Sequence, residues 1–266
     1  MTSDIGAFDQ AFAVANEHSQ LIDRIRRSSG AEYELRLYEK KFQIYPFIKN
    51  CNELEKTISD IESKVRGEMF LLGGDEAEMH VFSLEVVRLL FNVVAASSML
   101  VDYSRNFIEK HYSHTSISGL YKELVMTVSE DPLCRFVKGL RNAATHSGNP
   151  AQMIMRKRTR EGVMTKVLFD GDGLLSRYHN WTARDRKFIR CEMANPEEFS
   201  VRRIISEYRT KIENLQQQLD SHLTDFHADD MEELRLLRQE IHLRFPGRYR
   251  WPILPINATL PPMEQP

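Results

Sequence analysis

The sequence predicts a mainly α-helical protein that carries one small β-hairpin. Apolar residues recur at spacings of three and four along most of the 266 residues, which is the period of a helix with one buried face. Short alternating segments replace this pattern only after Pro150, as in a hairpin. Hydrophobic residues make up 42% of the chain, which is enough for a sizeable core.

Two helices are predicted in the N-terminal part, over residues 5–28 and 32–68, and "SSGAE" separates them. Pro46 is expected to kink or divide the second helix, because its ring removes a backbone donor. Their apolar positions are Ile5, Phe8, Phe12, Ala15 and Ile22 in the first helix, and Leu35, Tyr38, Phe42, Tyr45, Phe47, Ile48 and Ile58 in the second.

The segment from Glu76 to about Tyr112 gives the strongest helix prediction, and Asp75 can cap its start. Its expected buried stripe is Val81, Leu84, Val87, Phe91, Val94, Ser98 and Val101. A second line of three polar residues shares another face: Glu85, Arg88 and Asn92. Such a line is either solvated and internally paired, or it lines a cleft or a dimer seam.

Two helices are predicted next, over 116–128 and 131–146, and Gly148 and Pro150 stop the latter. The buried stripe of that helix is Leu133, Phe136, Val137, Leu140 and Ala144. The segments "QMIMRKRT" and "VMTKVLFD" predict the hairpin. "LLSRYHNW" and "FIRCEM" fit short strands or helical turns.

The helix period returns over 197–225 and 229–244, before a proline-rich tail that is expected to be extended. The expected buried stripe here is Val201, Ile204, Ile205, Tyr208, Ile212, Leu215 and Leu219.

Charge and cysteine content exclude several classes of protein. Acidic and basic residues nearly cancel, 38 against 36, which argues against coating nucleic acid by bulk charge. Cys51, Cys134 and Cys191 form no CxxC pair, so free thiols in a reducing compartment are expected. The start resembles no signal peptide and the apolar runs look too short to span a bilayer, so we expect a cytoplasmic protein without a membrane partner.

Common catalytic motifs are missing from the sequence. It contains no GxxxxGK[ST], GxGxxG, HExxH or GxSxG, so nucleotide cradling, zinc-protease and hydrolase-elbow chemistry lack support. His111 and His114 are three apart at a helix end but lack a third ligand, and we interpret them as surface residues. We therefore expect neither a metal nor another cofactor.

The stretch "LRNAATHSGNP" is the best candidate for chemistry. Asn142 and His146 are four apart and share a helix face, and Arg141 lies beside them. An arginine can hold phosphoryl oxygens in a fork, and a histidine can move protons near neutral pH. Arginine and histidine also occur at helix C-termini for capping alone. The loose pattern Arg-x(4–6)-His is matched again at Arg105 to His111 and at Arg235 to His242, so spacing by itself decides little.

The context of this stretch resembles the HEPN superfamily, whose signature is Arg-polar-x(3–5)-His near a helix end. "FVKGLRNAATHSGNP" carries that pattern. "SLEVVRLLFNVVAASSMLVDYSRNFIEKHY" is similar to the preceding helix in uncharacterised HEPN-like proteins, where a Glu-x-x-Arg-x-x-x-Asn line leads to a serine and an aspartate, here Ser98 and Asp102. "GNP" and "LLSRYHNW" add to the likeness, which covers roughly residues 76 to 220.

The resemblance implies an antiparallel helical bundle with the hairpin as an insertion and extra N-terminal helices. It also implies a metal-independent endoribonuclease, of the toxin or defence type, with a composite site in a homodimer. In that reading Arg141 stabilises charge on the phosphate, His146 acts as general acid or base, and Asn142 orients one of them. Glu85, Arg88 and Asn92 would support the site, and an antitoxin or regulatory protein would be a further partner.

One local feature favours an RNA partner. Arg156, Arg158 and Arg160 alternate on the first hairpin strand, so they would project from one face and contact the RNA backbone. A solvated edge protected by charge explains them equally well.

Three hypotheses follow, with one domain organisation. Residues 1–72 form a helical extension, 73–225 the HEPN-like domain with its hairpin near 152–169, and 226–266 a helix and proline-rich tail. The first hypothesis is the ribonuclease. The second is a non-catalytic HEPN dimer that binds a nucleotide, RNA or a partner protein. The third is a helical adaptor built around 32–68 and 197–244.

Overall fold

The computed structural model describes residues 2–63, 76–147, 152–159, 162–194 and 199–247. Within these ranges the protein has nine helices and one two-stranded sheet, which confirms the prediction of a mainly helical fold. Gly148, Pro150, Asp75 and the tail lie outside the described residues.

The helices and strands follow the chain in the order expected. Their bounds are α1 (Thr2–Arg27), α2 (Ser29–Glu62), α3 (Glu76–Tyr112), α4 (Ser116–Glu130), α5 (Pro132–Ser147), β1 (Gln152–Thr159), β2 (Gly162–Phe169), α6 (Gly171–Arg177), α7 (Ala183–Met193), α8 (Val201–Phe226) and α9 (Ala228–Arg244). Pro46 lies inside α2 and does not divide it. "LLSRYHNW" and "FIRCEM" contribute to α6 and α7, so the helical alternative is the correct one.

Chain contacts divide the protein into two compact units. One contains residues 1–41 and 222–266, and the other contains 42–221. These limits differ from the expected domain boundaries after 72 and 225, so the independence of a 73–225 domain stays a prediction.

The first unit pairs the two ends of the chain. Its buried apolar cluster joins α1 to α9 and consists of Leu21, Ile25, Leu234, Leu237, Ile241 and Phe245. Tyr33 stacks on His227 at 4.1 Å between ring centroids, and Arg238 forms a bidentate ion pair with Glu34. The expected face of α1 is partly wrong, because Phe12 is exposed and Leu21 and Ile25 are the buried residues.

The second unit holds the larger core, to which α2, α3, α5, β2, α6, α7 and α8 contribute. All seven positions of the predicted α8 stripe are buried. In α2, Phe47, Ile48 and Ile58 are buried as expected. The other four predicted apolar positions of this helix are exposed: Leu35, Tyr38, Phe42 and Tyr45.

The hairpin forms as predicted. Strands β1 and β2 pair antiparallel, with Gln152 opposite Phe169 and Thr159 opposite Gly162. Its inner end joins the core through the buried residues Val167 and Phe169. An added bridge links β2 to Ser200.

The buried face of α3 differs from the predicted one. Of the expected stripe, Val94 is buried, while Val81, Leu84 and Val101 are exposed and Val87, Phe91 and Ser98 are half-buried. The buried face is instead formed by Val86, Leu89, Leu90, Val93, Val94, Ala96, Ser97, Leu100, Ser104, Phe107 and Ile108. This helix is apolar on both sides, so its apolar period fits more than one face.

The same helix meets a simple test for membrane spanning. Residues His80–Tyr112 are long and apolar enough to cross a bilayer by length and composition, and 44% of the apolar stretch is buried inside the protein. The prediction that the apolar runs are too short to span a bilayer is therefore wrong for this helix. A core helix of a soluble protein meets the same criteria, so the cytoplasmic location remains a prediction.

Candidate functional site

Helix α5 presents the candidate motif on its outer side. Leu133, Phe136, Val137 and Leu140 are buried as predicted, and Arg141 and Asn142 follow them with exposed side chains. His146 lies one turn after Asn142 on the backbone of α5, and its side chain lies outside the described residues, as does that of Ala144. The structure thus carries two motif side chains to the surface at the end of this helix.

Arg141 borders a cleft of about 450 Å³ between α5 and α3. The residues of α3 that line it are Phe91, Val94, Ala95, Ser98, Met99 and Asp102. The walls are apolar, while Ser98, Asp102 and Arg141 supply polar groups. A concave apolar site with a few convergent polar groups is the usual form of a ligand pocket.

The polar groups of this cleft differ in their hydrogen bonds. The Ser98 hydroxyl donates to the Val94 carbonyl at 3.0 Å, so its oxygen can still accept. Asp102 accepts from Arg105 Nη2 through Oδ1 at 3.1 Å, and no bond from a described residue reaches its Oδ2. The cleft therefore offers a cation, a carboxylate and a hydroxyl acceptor along one apolar surface.

Buried polar contacts with α8 explain why the face of α3 that lines the cleft points away from the core. Tyr208 of α8 hydrogen-bonds the Ser97 hydroxyl, and Gln216 donates to the Ser104 hydroxyl at 3.2 Å. Burial raises the pKa of Tyr208 to about 12, although its hydrogen bond to Ser97 acts to lower it. Buried polar groups need partners, so these two bonds fix the rotation of α3 against α8.

Asp131 fixes the start of α5. Its carboxylate accepts from the backbone N–H groups of Leu133 and Cys134 and pairs with Lys211 Nζ at 2.8 Å. Burial acts to raise the pKa of Asp131, but the hydrogen bonds from Lys211 and Cys134 outweigh it, so the pKa lies below its ordinary value. This residue caps the helix that carries the motif.

Trp181 supports the middle of α5. Its ring stacks on Phe136 at 5.8 Å, and its indole N–H donates to the Leu174 carbonyl at 2.9 Å. A Cβ atom at Gly139 would lie 2.0 Å from the indole, so the helix approaches the ring there as closely as glycine allows. The segment "LLSRYHNW" therefore supports the helix that carries the motif.

The predicted polar line of α3 does not line the cleft. Glu85 and Arg88 form an exposed ion pair, with Arg88 Nε 2.7 Å from Glu85 Oε2, and the hydrogen bond from Arg88 lowers the pKa of Glu85. Asn92 is half-buried. None of the three lines the cleft, where Ser98 and Asp102 stand instead. In the sequence, only the family resemblance pointed to these two residues.

The arginines of the hairpin cannot be assigned a contact. Arg156 and Arg158 lie on β1 opposite Thr165 and Val163, and their side chains, with all of Arg160, lie outside the described residues. Residues two apart share one face of a strand. Their predicted contact with RNA stays a prediction.

Cysteine and metal chemistry find little support in the described residues. Burial raises the pKa values of the Cys51 and Cys134 thiols to about 12, which leaves little thiolate for attack. Cys191 is exposed. No group of three histidine, cysteine, aspartate or glutamate residues in the described ranges is arranged to hold a metal ion.

No protein-family model, curated protein or solved structure matches this chain. The fold and the cleft therefore carry the functional argument, together with the resemblance of the motif.

Proposed function

We propose that the protein is a metal-independent endoribonuclease of the HEPN type that works as a homodimer. The observation that carries this proposal is the position of Arg141, exposed at the end of α5 on the rim of a cleft formed with α3. The Arg-Asn-x(3)-His motif ends this helix, as in the HEPN signature, and the mainly helical fold agrees with a helical bundle.

The chemistry assigned to the motif needs only RNA and these side chains. A base removes the proton of the ribose 2′-hydroxyl, the 2′-oxygen attacks phosphorus, and the bond to the 5′-oxygen breaks. An acid protonates that oxygen, leaving a 2′,3′-cyclic phosphate and a 5′-hydroxyl. His146 serves as acid or base, Arg141 neutralises charge building on the phosphoryl oxygens, and Asn142 orients the phosphate or the histidine.

The homodimer supplies the second acid–base group. One chain offers one histidine in this motif, whereas internal attack benefits from a base on one side and an acid on the other. The outer face of α3 supports self-association, because Val81 and Leu84 are apolar and exposed. A twofold dimer across this face would bring two motifs near each other.

Alanine substitutions test the assignment of the motif. Arg141→Ala and His146→Ala should each lower single-turnover RNA cleavage at least about a hundredfold, the scale of losing a general acid–base group, while circular dichroism melts stay unchanged. Arg235→Ala and His242→Ala are matched controls, since this pair also fits the loose pattern Arg-x(4–6)-His on α9, where Arg235 forms an ion pair with Glu232. Equal losses from both pairs would refute the assignment.

The cleavage products test the mechanism. Cleavage should persist in EDTA and leave a 2′,3′-cyclic phosphate, which mass spectrometry of the fragments detects. A requirement for magnesium or manganese would contradict internal attack by the 2′-hydroxyl. RNA binding with no cleavage by the wild-type chain would favour the non-catalytic binding module instead.

A further inference from the structure

We propose that the cleft beside Arg141 selects a guanine base in single-stranded RNA, and that Asp102 is the residue that reads it. This inference rests on the proposed function, since it assigns the substrate preference of the same site. It starts from the placement of one carboxylate and one guanidinium on the rim of the same apolar cleft.

The shape and lining of the cleft fit a nucleotide with its base inserted. A volume of about 450 Å³ lies within the usual range for small-molecule sites. Met99 is exposed one turn before Asp102 and offers a thioether to the face of a base, and the half-buried Phe91 adds an aromatic ring to the same cleft. Unstacked RNA bases are commonly recognised by stacking on aromatic side chains and by hydrogen bonds to their edges.

The charges at the rim indicate how such a nucleotide is oriented. Arg141 suits the phosphate, because a guanidinium binds phosphoryl oxygens through two parallel bonds. Asp102 then meets the base, and an ionised carboxylate only accepts hydrogen bonds. A phosphate beside Asp102 would be repelled, so the opposite orientation is disfavoured.

Guanine is the base that matches two acceptor oxygens. Its pairing edge presents two adjacent donors, N1–H and the 2-amino group, whereas adenine and cytosine each present one amino group beside an acceptor nitrogen. Asp102 Oδ1 accepts only from the exposed residue Arg105, and Oδ2 accepts from no described residue. Arg105 lies one turn further along α3 and would hold the carboxylate in place while the base binds.

Calorimetry on the full-length protein tests the proposal with guanosine, adenosine and inosine 3′-monophosphates. Guanosine 3′-monophosphate should bind about tenfold or more tightly than the adenosine form, the scale of one good bidentate contact. The inosine form lacks the 2-amino group and should fall between them. Equal affinities for guanosine and adenosine would overturn the proposal.

The Asp102→Asn variant gives the sharper result. An amide offers one acceptor and one donor, so it cannot accept from both guanine donors, and the preference for guanosine over adenosine should be largely lost. Glu109→Gln is the matched control, an exposed carboxylate two turns further along α3 that does not line the cleft, and it should keep the preference for guanosine. An Asp102→Asn variant that keeps the full wild-type preference for guanosine would refute the role of Asp102.

Three further measurements separate this proposal from the proposed function. Arg141→Ala should weaken the binding of all three nucleotides by the same factor, because Arg141 is assigned to the phosphate that they share. RNA cleavage that depends on Arg141 without any base preference would sustain the ribonuclease and overturn the guanine site. A guanosine preference without cleavage would sustain the guanine site and overturn the ribonuclease.

A single-stranded RNA with one 2′-O-methylguanosine should bind more tightly than the mononucleotide, and equal binding would point to a free nucleotide instead of RNA.

Discussion

At the scale of single residues, the close approach of Gly139 to Trp181 leads to a prediction about stability. A Cβ atom at position 139 would stand 2.0 Å from the indole, and the hydrogen bond to Leu174 holds that ring. Gly139→Ala should therefore lower the free energy of unfolding by roughly 1–3 kcal/mol, the usual cost of overpacking, despite the better helix propensity of alanine. Urea denaturation measures the loss.

A second glycine provides the control for that experiment. Gly119 lies in α4, and an added Cβ would meet no atom within 4 Å apart from the neighbouring residues and backbone of its own helix. Gly119→Ala should stabilise the protein by about 0.5–1 kcal/mol, because alanine is the better helix former. If both variants change stability in the same direction, the clash at Trp181 is not the cause.

The sequence predicts the motif residues better than the cleft around them. The stop signals after residue 147 predicted that Arg141 and Asn142 lie near a helix end, and both are exposed there. Asp102 faces the same cleft although 39 positions separate it from Arg141 in the chain. No local pattern encodes this shared cleft, because it depends on how two helices pack.

At the scale of elements, periodicity predicts the helices but not always their buried faces. Helix α8 has one apolar stripe, and its burial agrees with the prediction. Helix α3 has apolar residues on two faces, and the bonds of Ser97 and Ser104 to α8 decide between them. Hydrophobic period contains no information on such pairs, so the expected stripe of α3 was mostly wrong.

The cap of α5 leads to a prediction about pH. Because the pKa of Asp131 is lowered in the folded protein, its contribution to stability is fully present above the ordinary value of 3.8 and is lost as the pH falls below it. Asp131→Ala should cost about 1–2 kcal/mol at pH 7, as expected for a lost helix cap. The gap between wild type and variant should narrow toward pH 2–3, because protonation of Asp131 removes the part of its contribution that depends on charge.

Asp131→Asn separates the cap from the charge. Asparagine caps helices about as well as aspartate but forms no ion pair with Lys211, and a partly exposed pair contributes about 0–1 kcal/mol. This variant should therefore lose much less stability than Asp131→Ala at pH 7. Urea titrations across the pH range test both variants, and a constant gap from pH 7 to pH 2 would contradict the linkage.

At the scale of the whole molecule, the pairing of the chain ends could not be foreseen from the sequence. Residues 1–41 and 222–266 form one unit, in which Leu21 and Ile25 pack with Leu234 and Leu237. Two amphipathic segments about 210 positions apart carry no signal that they are partners. From the sequence, the two segments are therefore predicted to belong to separate extensions.

The last prediction concerns self-association through the outer face of α3. Val81 is 65% exposed and Leu84 55% exposed on α3, and a second copy of the same face would remove both from water. We expect a dimer in solution at micromolar concentration. Leu84→Glu should weaken it at least about tenfold, because the partner would have to bury a carboxylate.

Leu243→Glu is the matched control for that substitution. Leu243 is 71% exposed on α9 in the other unit, so the same chemical change should leave the dimer intact. Sedimentation velocity gives the mass of each variant, and RNA cleavage by Leu84→Glu should fall in proportion to the dimer that remains, since each composite site needs a histidine from both chains. A wild-type monomer at micromolar concentration, or a monomeric Leu84→Glu chain with full activity, would contradict the composite site and leave each chain to act alone.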